Sequence, residues 1–282
     1  MLIHTIPACR SLFKNWPRVL AGYWAGRVRG GGRVRVVCRE GGEVWLTVGE
    51  LNAILYAVRM GLVDGFSCRD RGVVAKDNII PLDAFLGSDL RAPWYGWRYD
   101  AGRRAWVLDD AVFKRVTATV IEVFNHGFWA RVKRVPGRVV VDIGAGPGDT
   151  PVYFIHMGAS RVIALEPDPL AYEEMLENLR LNHVEDKVVA LQKAAGAGTL
   201  RELVDEYRLR DAVLKVDCEG CEHHLFQQAG WELDAFTEIA LEYHGSPHRI
   251  ADKLREAGFK VIVEPPWGEL DGEPVGFLHA LA

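Results

Sequence analysis

The segment that decides the fold of this 282-residue chain is residues 139–150, which read VVVDIGAGPGDT. The valines and the isoleucine predict a buried β-strand, and the glycines that follow predict a tight turn leading into a helix. Glycine lets a backbone approach a ligand closely because no Cβ intervenes. Doubly wound α/β folds bind ligands at the carboxyl ends of parallel strands, so this turn is predicted to be a ligand-binding loop.

The glycine spacing indicates the kind of ligand. Dinucleotide-binding loops read G-x-G-x-x-G, whereas Gly144, Gly146 and Gly148 follow G-x-G-x-G, and Asp149 stands where the last glycine of the dinucleotide pattern would be. A carboxylate at a helix start repels a pyrophosphate. S-adenosylmethionine carries a sulfonium and an amine but no phosphate, so the loop predicts this cofactor.

A second acidic residue supports this interpretation over a glycine turn that binds nothing. Glu166 ends the next predicted strand, 18 residues after Gly148, where a carboxylate can accept both hydroxyl protons of a ribose. The residues that we predict to contact the cofactor are Asp142, Gly144, Ala145, Gly146, Gly148, Asp149, Thr150, Glu166, Pro167, Ala194 and Asp217.

From Val139 onward, short apolar runs alternate with helical patterns, as is typical of repeated βαβ units. The clearest helix starts at Asp168, a good N-cap, followed by Pro169. The pattern predicts an α/β fold with a Rossmann-like sheet and helices on both faces. The predicted strands are 139–142, 161–166, 187–191, 212–217, 238–242, 260–264 and 276–279.

The first half of the chain is less regular and predicts a small basic α+β domain over residues 1–108. It contains strand-like 34–38 and 44–48, a helical 50–60, and an aromatic cluster of Trp94, Tyr95, Trp97, Tyr99 and Trp106 that forms its core or stacks on a ring ligand. A helical pattern beginning at Asp109 predicts a bridging helix over 109–136. The cofactor-binding catalytic domain is then 137–282.

Composition narrows the cellular context and the class of partner. No signal-like start or long apolar run is present, so we expect a soluble, cytoplasmic protein. Five cysteines, an odd number, predict reduced thiols rather than a disulfide framework. Residues 1–140 carry a net charge of +10 and residues 141–282 carry −14. Either the first half meets an anionic partner, or the two halves attract each other.

Several ordered motifs resemble the FkbM-type methyltransferases, particularly archaeal ones, within the class I S-adenosylmethionine-dependent enzymes. The likeness is strong after residue 110 and weak before it. One departure is Gln192 to Ala195, where many class I enzymes have an acid near the adenine. The motifs that carry the resemblance are the loop at 142–150, Ala164 to Pro167, Leu214 to Glu222, and Glu242-Tyr243-His244.

The resemblance implies methyl transfer to an acceptor, commonly a hydroxyl of a sugar or other small molecule. A hydroxyl must lose its proton, so we predict that His244 accepts it, that Glu242 orients His244 or the acceptor, and that Asp217 positions the donor or the hydroxyl. The alternative is that His244 caps the strand and that Asp217 only contacts the cofactor. No residue is assigned as a metal ligand, although these acidic residues could hold a divalent ion.

Two further motifs each have more than one interpretation. Cys218-x-x-Cys221 lacks the second pair that a structural zinc site needs, so we expect these thiols to pack near the cofactor or the next helix. Pro265-Pro266-Trp267 is expected to be a turn between strands rather than an amino-methyltransferase motif.

The main prediction is O-methylation of a small molecule, glycan or lipid. The alternative is methylation of RNA held by the arginines between 27 and 39.

Overall fold

The computed structural model describes residues 2–282, which divide into unit 1 (residues 1–121) and unit 2 (residues 122–282). Unit 1 consists of helices and three small antiparallel sheets, as expected for an α+β domain. Its helices are α1 Leu2–Leu12, α2 Trp16–Arg29, α3 Val48–Arg59, α4 Leu82–Leu86 and, across the boundary, α5 Ala118–Phe124. Its strands are β1 Arg33–Val37, β2 Glu43–Thr47, β3 Gly65–Ser67, β4 Gly72–Ala75, β5 Asn78–Pro81, β6 Arg98–Asp100, β7 Ala105–Leu108 and β8 Ala111–Phe113.

Local sequence explains how unit 1 is held together. Thr47 and Glu50 form a capping box at the start of α3, in which each side chain accepts a hydrogen bond from the other residue's backbone N–H. Trp97 and Trp106 are buried, as the core interpretation predicts, whereas Trp94 is 64% exposed. A disulfide joins Cys38 to Cys68, so the expectation of reduced thiols is wrong for this pair.

The predicted bridging helix over 109–136 is also wrong. Asp109 lies in a turn with φ of +50°, and the hairpin β7–β8 occupies the first part of the segment. Only α5 and a 3-10 helix, Phe128–Arg131, are helical there. Phe113 and Val120 fit one helical face in sequence, but Phe113 instead pairs with Trp106 across the hairpin. Packing of an aromatic residue in a sheet has outweighed the helical periodicity.

Unit 2 is a mostly parallel eight-stranded sheet with helices, which confirms the predicted Rossmann-like α/β fold. The strand order is β11-β10-β9-β12-β13-β16-β14, with β15 paired to β16, and β16 runs antiparallel to its neighbours. Its strands are β9 Val139–Ile143, β10 Arg161–Leu165, β11 Val188–Leu191, β12 Ala212–Val216, β13 Phe236–His244, β14 Lys260–Val263, β15 Gly268–Leu270 and β16 Glu273–Leu281. Its longer helices are α6 Asp149–His156, α7 Pro169–Leu181, α8 Thr199–Tyr207, α9 Glu222–Gln227 and α10 His248–Glu256.

Each of the seven predicted strands overlaps an observed one, and Asp168 caps α7 by accepting a hydrogen bond from the Ala171 N–H at 2.8 Å. Residues 264–267 form the turn between β14 and β15, as predicted for the two prolines. Within residues 2–282, every helix is too short or too polar to cross a bilayer.

The strand register determines where a ligand can bind. Ile143 at the end of β9 pairs with Leu165 of β10 on one side and with Val216 of β12 on the other. Val216 in turn pairs with Leu241 of β13. The residues that come next therefore lie at one level: Gly144, Glu166 and Asp217 follow the ends of their strands, and Glu242 lies beside them in the last part of β13, which continues to His244. This is the switch point at which doubly wound sheets bind ligands.

Candidate active site

The glycine loop packs directly on the segment that follows β12. Gly144 has φ of +77°, and a Cβ placed there would lie 1.7 Å from the carbonyl oxygen of Asp217. Gly148 has φ of +89°, and its Cβ would lie 3.0 Å from the side chain of Met175 in α7. Both positions therefore exclude other residues, because a side chain would meet both an unfavourable backbone conformation and a steric clash.

A buried ion pair supports this loop from behind. The Lys215 Nζ lies 2.8 Å from a carboxylate oxygen of Asp142 and also donates to the Gly144 carbonyl at 2.5 Å. The other oxygen of Asp142 accepts from the Thr150 hydroxyl at 2.6 Å. Burial favours the neutral amine, but the carboxylates of Asp142 and Asp217 outweigh burial and keep the pKa of Lys215 above its usual value.

Glu166 organises the opposite side of the loop. Its carboxylate accepts one hydrogen bond from the Gly146 N–H at 2.9 Å and another from the Asp168 N–H at 2.8 Å. These two bonds fix the carboxylate at the mouth of the loop. Each oxygen keeps a second lone pair for a ribose hydroxyl, so the geometry fits the predicted role.

The predicted cofactor contacts fall into two groups. Asp142 and Thr150 are at most 4% exposed; Asp142 pairs with Lys215 and accepts a hydrogen bond from Thr150, so both side chains support the loop from its buried side. Asp149, the first residue of α6, is 3% exposed. The remaining predicted residues lie in the connections that follow β9, β10, β11 and β12. They are Gly144, Ala145, Gly146, Gly148, Pro167, Ala194 and Asp217.

Two side chains that hold this region, Lys215 and Asn178, were given no role from the sequence. Lys215 was part of a quoted motif but was given no role, although one lysine inside the apolar run of β12 indicates a buried charge that needs a partner. Asn178, fully buried in α7, donates from Nδ2 to the Pro147 carbonyl at 2.8 Å and so ties the loop to that helix.

The predicted catalytic residues lie together where β12 and β13 end. His244 is surrounded by carboxylates, with Nε2 at 3.2 Å from Glu219 and 3.6 Å from Glu242, and Nδ1 at 3.3 Å from Glu222. Among residues 2–282, no group of three or more histidine, cysteine, aspartate or glutamate side chains has the arrangement of a metal site.

Glu242, which belongs to this cluster, has a pKa well above its usual value. Burial and the carboxylates of Asp217, Glu219 and Glu122 raise the pKa of Glu242 to about 8. A carboxyl group with this pKa exchanges its proton near neutral pH, which is the range in which a general base or acid works best. A cationic ligand beside these carboxylates would favour the ionised form of Glu242.

The turn between β12 and α9 is closed by a second disulfide. Cys218 and Cys221 are bonded, with their Cα atoms 5.5 Å apart, so the expectation of reduced thiols is wrong here as well. Glu219, between them, has φ of +55°. The buried Glu222 accepts from the Gly220 N–H at 2.9 Å and from the His244 N–H at 2.8 Å, and so joins this turn to the end of β13.

Comparison with known proteins finds methyltransferases that are similar to part of this chain. Residues 128–219 match the sequence profile of the TRM5/TYW2 methyltransferase domain. The ribosomal protein L11 methyltransferase of Carboxydothermus hydrogenoformans is 31% identical over 137 residues, which are 45% of this chain and 40% of that protein. A tRNA(Phe) (4-demethylwyosine(37)-C(7)) aminocarboxypropyltransferase of Pyrococcus horikoshii is 40% identical over 55 residues, or 20% of each chain.

Solved structures of similar fold include TrmK from M. capricolum in complex with S-adenosyl-homocysteine. It has 11% sequence identity and a TM-score of 0.44 over 56% of this chain and 67% of that one. Trm5 of Methanocaldococcus jannaschii in complex with adenosine has 19% identity and a TM-score of 0.41, over 58% of this chain and 49% of that one.

Residues 128–219 therefore resemble a methyltransferase domain. The chain spans about two fifths of the length of the first of these relatives. The narrower resemblance to FkbM-type enzymes and the cytoplasmic location stay predictions.

Proposed function

We propose that this chain is an S-adenosylmethionine-dependent methyltransferase that modifies RNA, with the acceptor group at the carboxyl ends of β12 and β13. The observation that carries the proposal is the charge of the first 39 residues, which include eight lysines and arginines and no acidic residue. Unit 1 as a whole has 18 lysines and arginines against 11 acidic residues. Such a local excess of cations attracts a phosphate backbone.

Many of these cations are available to a partner. Arg35 pairs with Glu43 across the β1–β2 hairpin. Arg18, Arg29 and Arg33 are exposed and, among the residues that the structure describes, have no carboxylate partner. Exposed arginines can form bidentate hydrogen bonds to phosphate oxygens, so these residues support RNA as the anionic partner.

A cationic cavity in unit 2 gives independent support. It has a volume of about 420 Å³ and is lined by His223, His224, Arg249 and Lys253, among others. This lining contrasts with the acidic balance of unit 2, which has 27 acidic residues against 16 lysines and arginines. His223 also bonds to the His244 carbonyl at 2.6 Å, so the cavity adjoins the proposed catalytic cluster. A phosphate next to the acceptor group fits there.

The chemistry follows from the carboxylate cluster. S-adenosylmethionine supplies the activated methyl carbon, so the chain must mainly align the acceptor and remove its proton. We propose that the Glu242–His244 pair takes that proton and that Asp217 positions the acceptor. The pKa of about 8 for Glu242 supports Glu242 itself as the proton acceptor, with His244 as its partner, which reverses the order expected from the sequence.

O-methylation of a small molecule, glycan or lipid is the second candidate. The same Glu242–His244 pair favours it, because an alkyl hydroxyl needs a base whereas many nucleophilic nitrogens do not. The FkbM-like motifs after β12 and β13 also support this candidate. Methylation of a ribose hydroxyl in RNA would need the same base. The two candidates are therefore distinguished by the class of molecule that is methylated, and not by whether the methylated atom is oxygen.

The test is to incubate the purified protein and isotopically methylated S-adenosylmethionine with separated RNA, protein and metabolite fractions of a cell extract. Label in nuclease-sensitive material, traced by mass spectrometry to one methylated nucleoside, is the expected result. A Glu166→Ala variant, weakened in cofactor binding, gives the background. Label that is released by protease, or that is confined to small molecules or glycans, would overturn RNA as the substrate.

A further inference from the structure

Unit 1 contains a small cleft between α2 and α3 that has no role in the site of unit 2. Its volume is about 210 Å³, and its lining includes Tyr23, Trp24 and Arg27 from α2 and Asn52, Tyr56 and Arg59 from α3. Drug-sized ligands occupy pockets of about 300–1,000 Å³, so this cleft suits a smaller group.

Aromatic and guanidinium groups alternate along the cleft. The Arg27 guanidinium lies 5.8 Å from the ring centre of Tyr23 and 5.9 Å from that of Trp24. On the opposite wall, the Arg59 guanidinium lies 5.5 Å from the ring centre of Tyr56. These cation–π contacts hold both arginines beside ring faces, with their charges at the rim.

The interior of the cleft is fixed by a short hydrogen-bond chain. Arg27 donates to the Tyr23 hydroxyl at 3.1 Å, and that hydroxyl donates to the Asn52 amide oxygen at 2.5 Å. Tyr23 is only 4% exposed, whereas Tyr56 is 43% exposed and its ring is accessible. The Asn52 amide also carries two N–H donors, which can bond to the edge of a base.

From these contacts we infer that the α2–α3 cleft binds one unpaired nucleotide of a single-stranded RNA, with its base stacked on Tyr56 and its phosphates on Arg27 and Arg59. Aromatic faces interleaved with arginines are the combination by which proteins hold unpaired nucleotides. An acidic peptide would use the arginines but not the ring faces. The inference rests on the proposed function, because it assumes that RNA is the substrate.

The test uses the full chain and a fluorescein-labelled ten-nucleotide single-stranded RNA of mixed sequence, with binding followed by fluorescence anisotropy. Tyr56→Ala should weaken binding about 5- to 100-fold, the range expected for loss of one stacked base. Arg59→Gln should weaken it less and should lower the slope of log affinity against log salt concentration by about 1.

Matched controls exist in the same unit. Trp45, on β2, is 55% exposed and does not line the cleft, and Arg69 is an exposed arginine outside it. Trp45→Ala and Arg69→Gln should leave RNA affinity within about twofold of the wild type, because surface substitutions away from a site have small effects. Unchanged S-adenosylmethionine affinity in every variant confirms that unit 2 is folded, and a wild-type thermal unfolding transition confirms the same of unit 1.

The outcomes separate the inference from the proposed function. No binding of the RNA by the wild-type chain, together with no methyl label in RNA, means that the proposed function itself has failed. Binding and labelling that Tyr56→Ala and Arg59→Gln leave at wild-type level overturn the cleft alone. Equal losses in the two control variants, or displacement of the RNA by poly-glutamate at lower concentration than by unlabelled RNA, also overturn it.

Discussion

The ammonium group of Lys215 lies 2.8 Å from the carboxylate of Asp142, and neither side chain exposes more than 1% of its surface. The pair joins β12 to the end of β9, and the same ammonium group donates to the Gly144 carbonyl. It also lies 5.3 Å from the ring centre of Trp129. The position of the glycine loop thus depends on a charge that is isolated from water.

Replacement of Lys215 by methionine should destabilise unit 2 by about 3–5 kcal/mol, because it leaves the buried Asp142 carboxylate without its partner. The free energy of unfolding, measured by urea denaturation, checks this. Lys193→Met is the matched control, since Lys193 and its partner Glu202 are both exposed, and it should cost less than about 1 kcal/mol. Equal effects of the two substitutions would show that the buried pair contributes no more than a surface pair.

Glu166→Ala should weaken S-adenosylmethionine binding about 5- to 150-fold, which corresponds to about 1–3 kcal/mol for loss of a charged hydrogen-bond acceptor. Titration calorimetry measures this without knowledge of the acceptor. Glu173→Gln, an exposed position on α7, should leave the affinity unchanged. Wild-type affinity in Glu166→Ala would remove Glu166 from the cofactor site.

The raised pKa of Glu242 predicts a pH dependence of stability with a definite sign. The folded chain holds this proton up to about pH 8, whereas an unfolded glutamate releases it near 4.5. The contribution of Glu242 to the free energy of unfolding is therefore fully present at low pH, and it is lost as the pH rises to about 8. The wild-type chain should lose stability relative to Glu242→Gln over that interval. Parallel pH profiles of the two proteins would contradict the raised pKa.

Glu242→Gln should lower turnover by about 10²- to 10⁴-fold and leave cofactor affinity nearly unchanged, because the proposed proton acceptor acts mainly on the chemical step, and His244→Ala should lower turnover by a smaller factor. Single-turnover rates and calorimetry on the same samples separate the two quantities. His248→Ala, at an exposed position on α10, is the control. If His244→Ala keeps full turnover while Glu242→Gln loses it, the proton passes to Glu242 without help from the imidazole.

The sequence predicted the sheet of unit 2 well because a buried parallel strand leaves a clear local signal. Val139 to Ile143 is such a run, and the register then places Glu166 and Glu242 at the same edge. Unit 1 was predicted less well. Phe113 and Val120 are spaced as on one face of a helix. Phe113 lies in a sheet because it pairs with Trp106 of β7, and the helical spacing does not indicate this pairing.

Properties that depend on three-dimensional proximity were the least predictable. Nothing in the sequence pairs Cys38 with Cys68, which are 30 residues apart. The exchange of roles proposed for Glu242 and His244 depends on Glu122 and Glu219, whose carboxylates approach Glu242 only in the folded chain. Burial and neighbouring charge set a pKa, and neither can be read from residue type.

The position of β16 has a consequence for how the chain is synthesised. β16 covers residues 273–281 and lies between β13 and β14, so the ribosome completes both neighbours before the strand that joins them exists. Until then β13, with buried Ile239 and Leu241, is an open sheet edge on a nascent chain. Such edges pair readily with other chains. Weak induction of expression, which keeps the concentration of unfinished chains small, should therefore raise the yield of folded protein.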